Sequence, residues 1–71
     1  MISFDPLWKT LKSMELNKGD LQKLTRLSSA TIAKLSKNES VTLDVVDRIA
    51  SILQVPIYDV VEILPDDSAG N

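Results

Sequence analysis

The stretch "LQKLTRLSSATIAKL", residues 21–35, contains the local signals that decide the fold. Leu21 and Leu24 are spaced as on one face of a short helix, and Ile32 and Leu35 are spaced in the same way along a second helix. Only a tight turn fits between the two helices. The stretch therefore predicts a helix-turn-helix unit with both apolar pairs facing inward.

Helix starts recur on both sides of this turn. Each combines a capping side chain with a bracketing apolar pair, known as a hydrophobic staple. The predicted caps are Asn17, Ser28 and Thr42, and Asp20 is placed to complete a capping box with Asn17. The bracketing pairs are Leu16 with Leu21, Leu27 with Ile32, and Val41 with Val46. Three starts in phase predict a series of short helices.

Further helices are predicted at both ends of the chain. Asp5 followed by Pro6 is typical of a helix start with Asp5 as its cap. The inward stripe of this first helix is Leu7, Leu11 and Met14. Pro56 favours the start of a fifth helix, with Ile57, Val60, Val61 and Leu64 facing inward.

The fourth helix, residues 43–53, has two apolar stripes. Its main stripe is Leu43, Val46, Ala50 and Leu53, and its second stripe is Val45, Ile49 and Ile52. Two stripes indicate either a centrally buried helix or a helix that also meets a partner.

Together these segments predict an all-α domain of five short helices around one aliphatic core, spanning residues 1–65. Alternation at residues 2–4 and the β-prone residues 61–64 favour a short antiparallel β pairing of the two ends. In the alternative, Ile2 and Phe4 pack over the core without pairing. Residues 66–71, "DDSAGN", are predicted to form a disordered polar tail.

Composition excludes several classes of function. The 71 residues include no cysteine and no histidine, which removes disulfides, zinc sites built from those residues, and thiol or histidine catalysis. No metal site, cofactor or small-molecule ligand is expected, and Trp8 and Tyr58 are interpreted as packing residues rather than stacking groups. No signal peptide and no apolar run near the ~20 residues of a membrane span is present, which predicts a cytoplasmic protein.

Charge is unevenly distributed along the chain. The net charge is −2, but residues 1–40 carry seven basic and four acidic side chains, whereas residues 41–71 carry one basic and six acidic ones. Such a division can present a positive face to phosphates while the remainder stays acidic. Chance asymmetry in a small helical protein is the alternative interpretation.

Residues 21–35 resemble the helix-turn-helix of the Cro/lambda-repressor family, also called the xenobiotic-response-element family. The family pattern Leu-Ala-x-x-x-Gly-Val-Ser-x-x-Thr-Ile is matched in register by Leu21, Leu27, Ser28, Thr31 and Ile32. The stretch "SVTLDVVDRIASILQVPIYDVVE", residues 40–62, is similar to the family's next two helices. The resemblance covers about residues 7–64 and implies a small, five-helix lambda-repressor-like domain that binds DNA and regulates transcription.

Two residues depart from the family pattern. Gln22 stands where alanine is usual, at a site packed near the second helix of the unit. Arg26 stands where glycine is usual, at a turn that often needs a positive φ, and a non-glycine residue costs on the order of 1 kcal/mol there. Arg26 is therefore either mildly strained or makes an added backbone contact.

Geometry and resemblance both direct one face of the second helix towards base edges in the major groove. Lysine can donate to guanine, serine can pair with either kind of base, and an alanine methyl can touch a thymine methyl. A plain solvated helix face is the alternative. The predicted base-reading residues are Ser29, Ala30, Ala33 and Lys34.

Phosphate contacts are expected around this helix. The first helix of the unit begins at Asn17 and Lys18, where free N–H groups favour a phosphate. Residues 17–38 also hold five basic groups against one acid. The predicted phosphate contacts are Asn17, Lys18, Lys23, Arg26, Ser28, Lys37 and Asn38.

Two functions compete for this sequence. The first is a sequence-specific transcriptional regulator, expected to be a repressor, that binds double-stranded DNA as a homodimer on half-sites ~34 Å apart. Its candidate dimer contacts are Val45, Ile49 and Ile52. The second is a protein-interaction module on the same fold, such as an antitoxin or a phage accessory protein. An enzyme is not expected, because no acid–base pair or activated nucleophile is visible.

Overall fold

A computed structural model of the protein describes residues 1–65, which form four α-helices, one 3₁₀ turn and a two-stranded ribbon. The helices are α1 (Asp5–Ser13), α2 (Lys18–Thr25), α3 (Ser29–Ser36) and α4 (Leu43–Leu53). The 3₁₀ turn spans Ile57–Asp59, and the strands are β1 (Ile2–Ser3) and β2 (Glu62–Ile63). The predicted tail, residues 66–71, lies outside the described residues. Within residues 1–65, no helix has both the length and the apolar character needed to cross a bilayer.

The predicted capping box at the start of α2 is confirmed. The Asn17 Oδ1 atom accepts a hydrogen bond from the Asp20 N–H at 2.8 Å, and the Asp20 carboxylate accepts one from the Asn17 N–H at 3.0 Å. The Cβ that Gly19 lacks would lie 3.2 Å from the same Asn17 Oδ1. Glycine inside this first turn therefore leaves room for the capping side chain.

The caps of α3 and α4 are also confirmed, whereas that of α1 is not. The Ser28 and Thr42 hydroxyls each accept a hydrogen bond from the N–H three residues later. By contrast, α1 begins at Asp5 itself, and no side chain caps it. The Asp5 N–H instead donates to the Ser3 hydroxyl at 3.2 Å. The prediction of Asp5 as a cap is therefore wrong by one position.

Each of the four helices is followed by a left-handed residue that is not glycine. The φ angles are 58° at Glu15, 57° at Arg26, 57° at Asn38 and 56° at Gln54. For residues with a Cβ this conformation costs on the order of 1 kcal/mol, and asparagine tolerates it best. Arg26 thus takes the left-handed turn conformation for which glycine is usual.

Replacing Arg26 with glycine is expected to raise the free energy of unfolding by up to about 1 kcal/mol. Glycine adopts the positive φ without a Cβ clash, although its more flexible unfolded chain offsets part of the gain. Urea denaturation followed by circular dichroism measures the change. Arg26→Ala is the control, because it removes the charge but keeps the Cβ. A clear loss of stability in Arg26→Gly would show that the arginine side chain makes stabilising contacts of its own.

The core is aliphatic apart from one phenylalanine, as the composition predicts. Both helices of the helix-turn-helix unit contribute to it, so α2 and α3 are anchored to the same cluster as α1 and α4. The core residues are Phe4, Leu7, Leu11, Leu21, Leu27, Ile32, Leu35, Val46, Ile49, Leu53 and Val60.

α4 buries a single face that draws on both predicted stripes. Val46, Ile49 and Leu53 enter the core, whereas Leu43 is 78% exposed at the start of the helix. Ile49 is completely buried within its own chain. The prediction of Ile49 as a dimer contact is therefore wrong, because its side chain is not available to a second chain.

Several apolar side chains that the spacing directs inward are exposed instead. They are Met14, Leu24, Leu43, Ile57 and Leu64. On α2, Thr25 rather than Leu24 turns into the core, where its hydroxyl donates to the Leu21 carbonyl at 2.7 Å. The other four lie at the ends of their elements, where packing against neighbouring elements is incomplete.

Among residues 1–65 the predicted fifth helix is not formed. The chain after Pro56 makes only the three-residue 3₁₀ turn, because the segment from Glu62 is held extended against β1 and too few residues remain to nucleate an α-helix. The Thr10 hydroxyl donates to the Asp59 carbonyl at 2.8 Å and ties this turn to α1. Tyr58 is 72% exposed, which contradicts its predicted packing role.

The predicted pairing of the two ends is confirmed. β1 and β2 are antiparallel, with Ile2 opposite Ile63. Met1 and Leu64 extend the ladder, because the Leu64 N–H donates to the Met1 carbonyl at 2.8 Å and the Met1 ammonium donates to the Leu64 carbonyl at 3.0 Å. The ribbon thus fastens the start of the chain to the segment after the last turn.

Candidate nucleic-acid interface

α3 presents one face to the core and the opposite face to solvent. Ile32 and Leu35 are buried. The residues predicted to read bases are all exposed: Ser29, Ala30, Ala33 and Lys34. Three of these four side chains are small, so the backbone of α3 can approach another surface closely. Lys34 is the long, charged member of the set.

Hydroxyl groups fix the first turn of α3. The Ser28 Oγ atom accepts a hydrogen bond from the Thr31 N–H at 3.1 Å and lies 3.0 Å from the Thr31 hydroxyl. The hydroxyl of Ser28, which is a predicted phosphate contact, is therefore already engaged in capping α3. These two contacts cap the exposed start of α3.

Gln22 makes a contact that the sequence did not predict. Its Nε2 atom donates a hydrogen bond to the Ser29 Oγ atom at 3.1 Å, which joins the middle of α2 to the first residue of α3. Gln22 is half-buried and Ser29 is exposed. The sequence signal at this position is glutamine where the family usually has alanine. That departure indicated a change in packing between the two helices, not a hydrogen bond between them.

The start of α2 combines two predicted phosphate contacts with an aromatic ring. The Lys18 Nζ atom lies 4.8 Å from the centroid of the Trp8 ring, within cation–π range. Asn17 is held beside it by the capping box with Asp20. Trp8 therefore packs partly against the core and partly under a cation, a pairing that local sequence pattern does not indicate because it joins two helices.

The other predicted cationic contacts are exposed around α2 and α3. Lys23 lies in the last turn of α2, Arg26 in the turn, and Lys37 directly after α3. Lys34 and Thr31 line a shallow groove beside α3 together with Ser40, Val41, Thr42 and Val45. The residues that supply hydroxyl groups to this groove are Thr31, Ser40 and Thr42, and none of them was predicted as a site residue. The sequence signal for this group was limited to Thr42, as the predicted cap of α4.

Asn38, which is predicted to contact a phosphate, also has a structural role that was not predicted. Its Oδ1 atom accepts a hydrogen bond from the Phe4 N–H at 2.9 Å, which connects the end of α3 to the start of α1. The residue is nonetheless exposed and left-handed. Its side chain is therefore oriented by the fold before any ligand arrives.

Two features of α4 are its contact with the end of α2 and an apolar groove that a partner could occupy. Arg48 Nη1 donates to the Thr25 carbonyl at 3.3 Å and so ties α4 to the end of α2. On another side of the helix, an apolar groove is lined by Leu43, Val46, Ala50, Val55 and Ile57, with Asp47 among its polar residues. Of the predicted dimer contacts, Val45 is half-buried beside α3 and Ile52 is 41% exposed.

Comparisons with known proteins identify a family and a solved structure that this chain resembles. Residues 6–66 match the family model of the Cro/C1-type helix-turn-helix DNA-binding domain. The chain is also similar to the crystal structure of the transcriptional regulator VanUg, with a TM-score of 0.87 and 38% sequence identity over 92% of this chain and 87% of that chain. A search of curated protein sequences gave no match. Because the family model spans nearly the whole helical unit, the chain belongs to the family of Cro/C1-type helix-turn-helix DNA-binding domains.

Proposed function

We propose that the chain is a sequence-specific transcriptional regulator that reads the major groove of DNA with α3 and acts as a repressor. The observation that carries the proposal is the outer face of this eight-residue helix, which is anchored by Ile32 and Leu35 and exposes only small or basic predicted contacts. A helix of this kind fits a groove ~12 Å wide. The family match and the regulator VanUg support the assignment.

The exposed residues of α3 take different roles in this proposal. Lys34 donates to guanine O6 or N7, and Ser29 pairs with a polar base edge. Ala30 and Ala33 contact thymine methyl groups and allow close approach. Four cations and three polar residues hold the phosphates on either side and fix the register of the protein on the duplex. They are Lys18, Lys23, Arg26, Lys37, Asn17, Ser28 and Asn38.

The regulator is proposed to bind as a homodimer on half-sites one helical turn, ~34 Å, apart, and to repress by covering a promoter. Val45 and Ile52 remain candidate contacts, and the apolar groove on α4 offers a further apolar surface. Such a regulator would act in the cytoplasm of a bacterial or phage-infected cell. Sedimentation velocity with a duplex carrying two half-sites should give two chains per duplex, and a single chain per duplex would contradict the dimer.

A protein-interaction module is the second candidate function, and the α4 groove favours it. Leu43 and Ile57 line this groove beside Asp47 and are 78% and 53% exposed. Neighbouring apolar side chains exposed to water are energetically unfavourable, and they often mark a surface that binds another protein. Stoichiometric recovery of one protein partner, together with no affinity for any duplex, would favour this function over the first.

Selection from a randomised duplex library tests the DNA-binding proposal. The expected result is one enriched motif, with affinity that falls as salt concentration rises. A slope of roughly −3 to −4 in log K against log salt is expected per chain if the four proposed cations each neutralise one phosphate. Absence of both an enriched motif and a negative slope would overturn the proposal.

Replacing Asn38 with aspartate separates its two roles. Aspartate keeps an acceptor for the Phe4 N–H and tolerates the left-handed backbone, so the free energy of unfolding should change by no more than about 0.5 kcal/mol. Its negative charge should weaken DNA binding about fivefold, the effect of ~1 kcal/mol of repulsion from a nearby phosphate. Asn38→Ala is the control for the lost hydrogen bond. Unchanged affinity in Asn38→Asp would leave Asn38 with a purely structural role.

A further inference from the structure

The ring of Trp8 joins α1 to the start of α2 through a cation. Trp8 is half-buried on α1 and packs against the core, so the fold fixes the position of its ring. Lys18 is the exposed first residue of α2, and its Nζ atom lies 4.8 Å from the centroid of that ring. The face of an aromatic ring attracts an ammonium group through its negative electrostatic potential. The ring therefore favours one position of an otherwise free lysine side chain.

A lysine side chain loses much rotamer freedom when it is held in a single position. A contact that needs this position is weakened in proportion to the share of molecules in which the side chain lies elsewhere. The ammonium group has three N–H donors, so it can face the ring and still donate to an oxygen atom on its outer side. The ring can therefore restrain Lys18 without using up the donors that a phosphate requires.

We propose that Trp8 is a positioning residue for DNA binding, which holds the Lys18 ammonium in place for a backbone phosphate. The other proposed phosphate contact at the start of α2, Asn17, is held by its capping bond from the Asp20 N–H at 2.8 Å. Because phosphates are the same at every base pair, this role of Trp8 raises affinity for all duplexes and leaves base preference unchanged. The inference rests on the proposed function, in which Lys18 contacts a phosphate.

Graded fluorination of Trp8 tests the contact without removing the ring. The sequence has a single tryptophan, so incorporation of fluorotryptophans with one, two and three fluorines alters this ring alone. Each fluorine withdraws electron density from the ring face and weakens its attraction for a cation, while the size of the ring changes little. Fluorescence anisotropy with a labelled duplex should show a stepwise loss of affinity along the series. The total loss should be roughly two- to fivefold, the range of an exposed cation–π contact.

Two lysine variants separate this role from packing of the ring. Lys18→Ala should itself weaken DNA binding, and in that background the fluorine series should leave affinity unchanged. Lys12→Ala is the matched control, because Lys12 is an exposed lysine one helical turn after Trp8 on α1. The fluorine series should keep its full effect in the Lys12→Ala background. Any effect of fluorine on core packing is shared by both backgrounds and cancels in this comparison.

Four results would overturn the inference. Constant affinity along the fluorine series would show that the ring does not assist binding, and rising affinity would show that it withholds the Lys18 ammonium from DNA. A fluorine effect that persists in Lys18→Ala would mean that the ring acts through packing. Full affinity in Lys18→Ala would remove the contact that Trp8 is proposed to position. If the unaltered chain binds no duplex at all, the proposed function itself fails, which is a distinct result.

Discussion

Replacing Lys34 with alanine is expected to weaken binding to the selected site by about 1–3 kcal/mol, roughly 5- to 150-fold. Lys34 is exposed on α3, where the other proposed base-reading residues are one serine and two alanines. No neighbour among these can replace a lysine that donates to a guanine. Fluorescence anisotropy with the selected duplex and with a scrambled duplex measures both specific and non-specific affinity.

Lys9→Ala is the control for this loss. Lys9 is also exposed, but it lies on α1 in a groove with Asp59 and Glu62, outside the helix-turn-helix unit. Its removal should change affinity by less than about threefold, as expected for a distant surface charge. Equal losses in the two variants would show that α3 is not the reading helix. Equal weakening of selected and scrambled duplexes by Lys34→Ala would instead make Lys34 a phosphate contact.

Replacing Leu35 with alanine is expected to lower the free energy of unfolding by about 2–5 kcal/mol. Leu35 is completely buried and joins α3 to the common core. A domain of this size has a stability near the low end of ~5–15 kcal/mol, so a loss at the upper end of the expected range would unfold a large share of the protein at 37 °C. Urea denaturation at 25 °C, followed by circular dichroism, measures the change.

Lys37→Ala is the control at the exposed end of the same helix, and its stability should stay within about 0.5 kcal/mol of the unaltered chain. A loss below about 1 kcal/mol in Leu35→Ala would mean that α3 is only loosely anchored.

Helix starts were predictable from the sequence because their signals are local. The side chains at Asn17, Ser28 and Thr42 bond to backbone groups three residues away, and short polar residues are suited to that geometry. The helix-turn-helix unit was predictable for the same reason, since its inward residues lie within 15 positions of one another. The paired ends followed from alternation at one end and β-branched residues at the other.

Side-chain directions and helix ends were less predictable because they depend on neighbouring elements. The spacing of Leu21 and Leu24 is compatible with two rotations of α2, and packing selected the one that buries Thr25. The segment after Pro56 has helical spacing, but its pairing with β1 requires an extended chain. In both cases a tertiary contact overrode a local preference.

The candidate site was predictable in outline but not in its internal contacts. The outer face of α3 follows from helical spacing once Ile32 and Leu35 are placed inward. The bonds of Gln22 to Ser29, Asn38 to Phe4, and the stacking of Lys18 over Trp8 each join different elements. Such contacts depend on the relative placement of helices, which one sequence does not specify residue by residue.

The ribbon of β1 and β2 has a consequence for the order in which the chain folds. Ile2 and Ile63 lie at opposite ends of the described chain, so pairing them early would close a very long loop for a few hydrogen bonds. The helices must first assemble and bring the two ends together. We therefore expect the ribbon to form after the main kinetic barrier, so that interactions within it slow unfolding more than they speed folding. Contacts in this small ribbon would then lengthen the lifetime of the folded protein with little effect on the speed at which it appears.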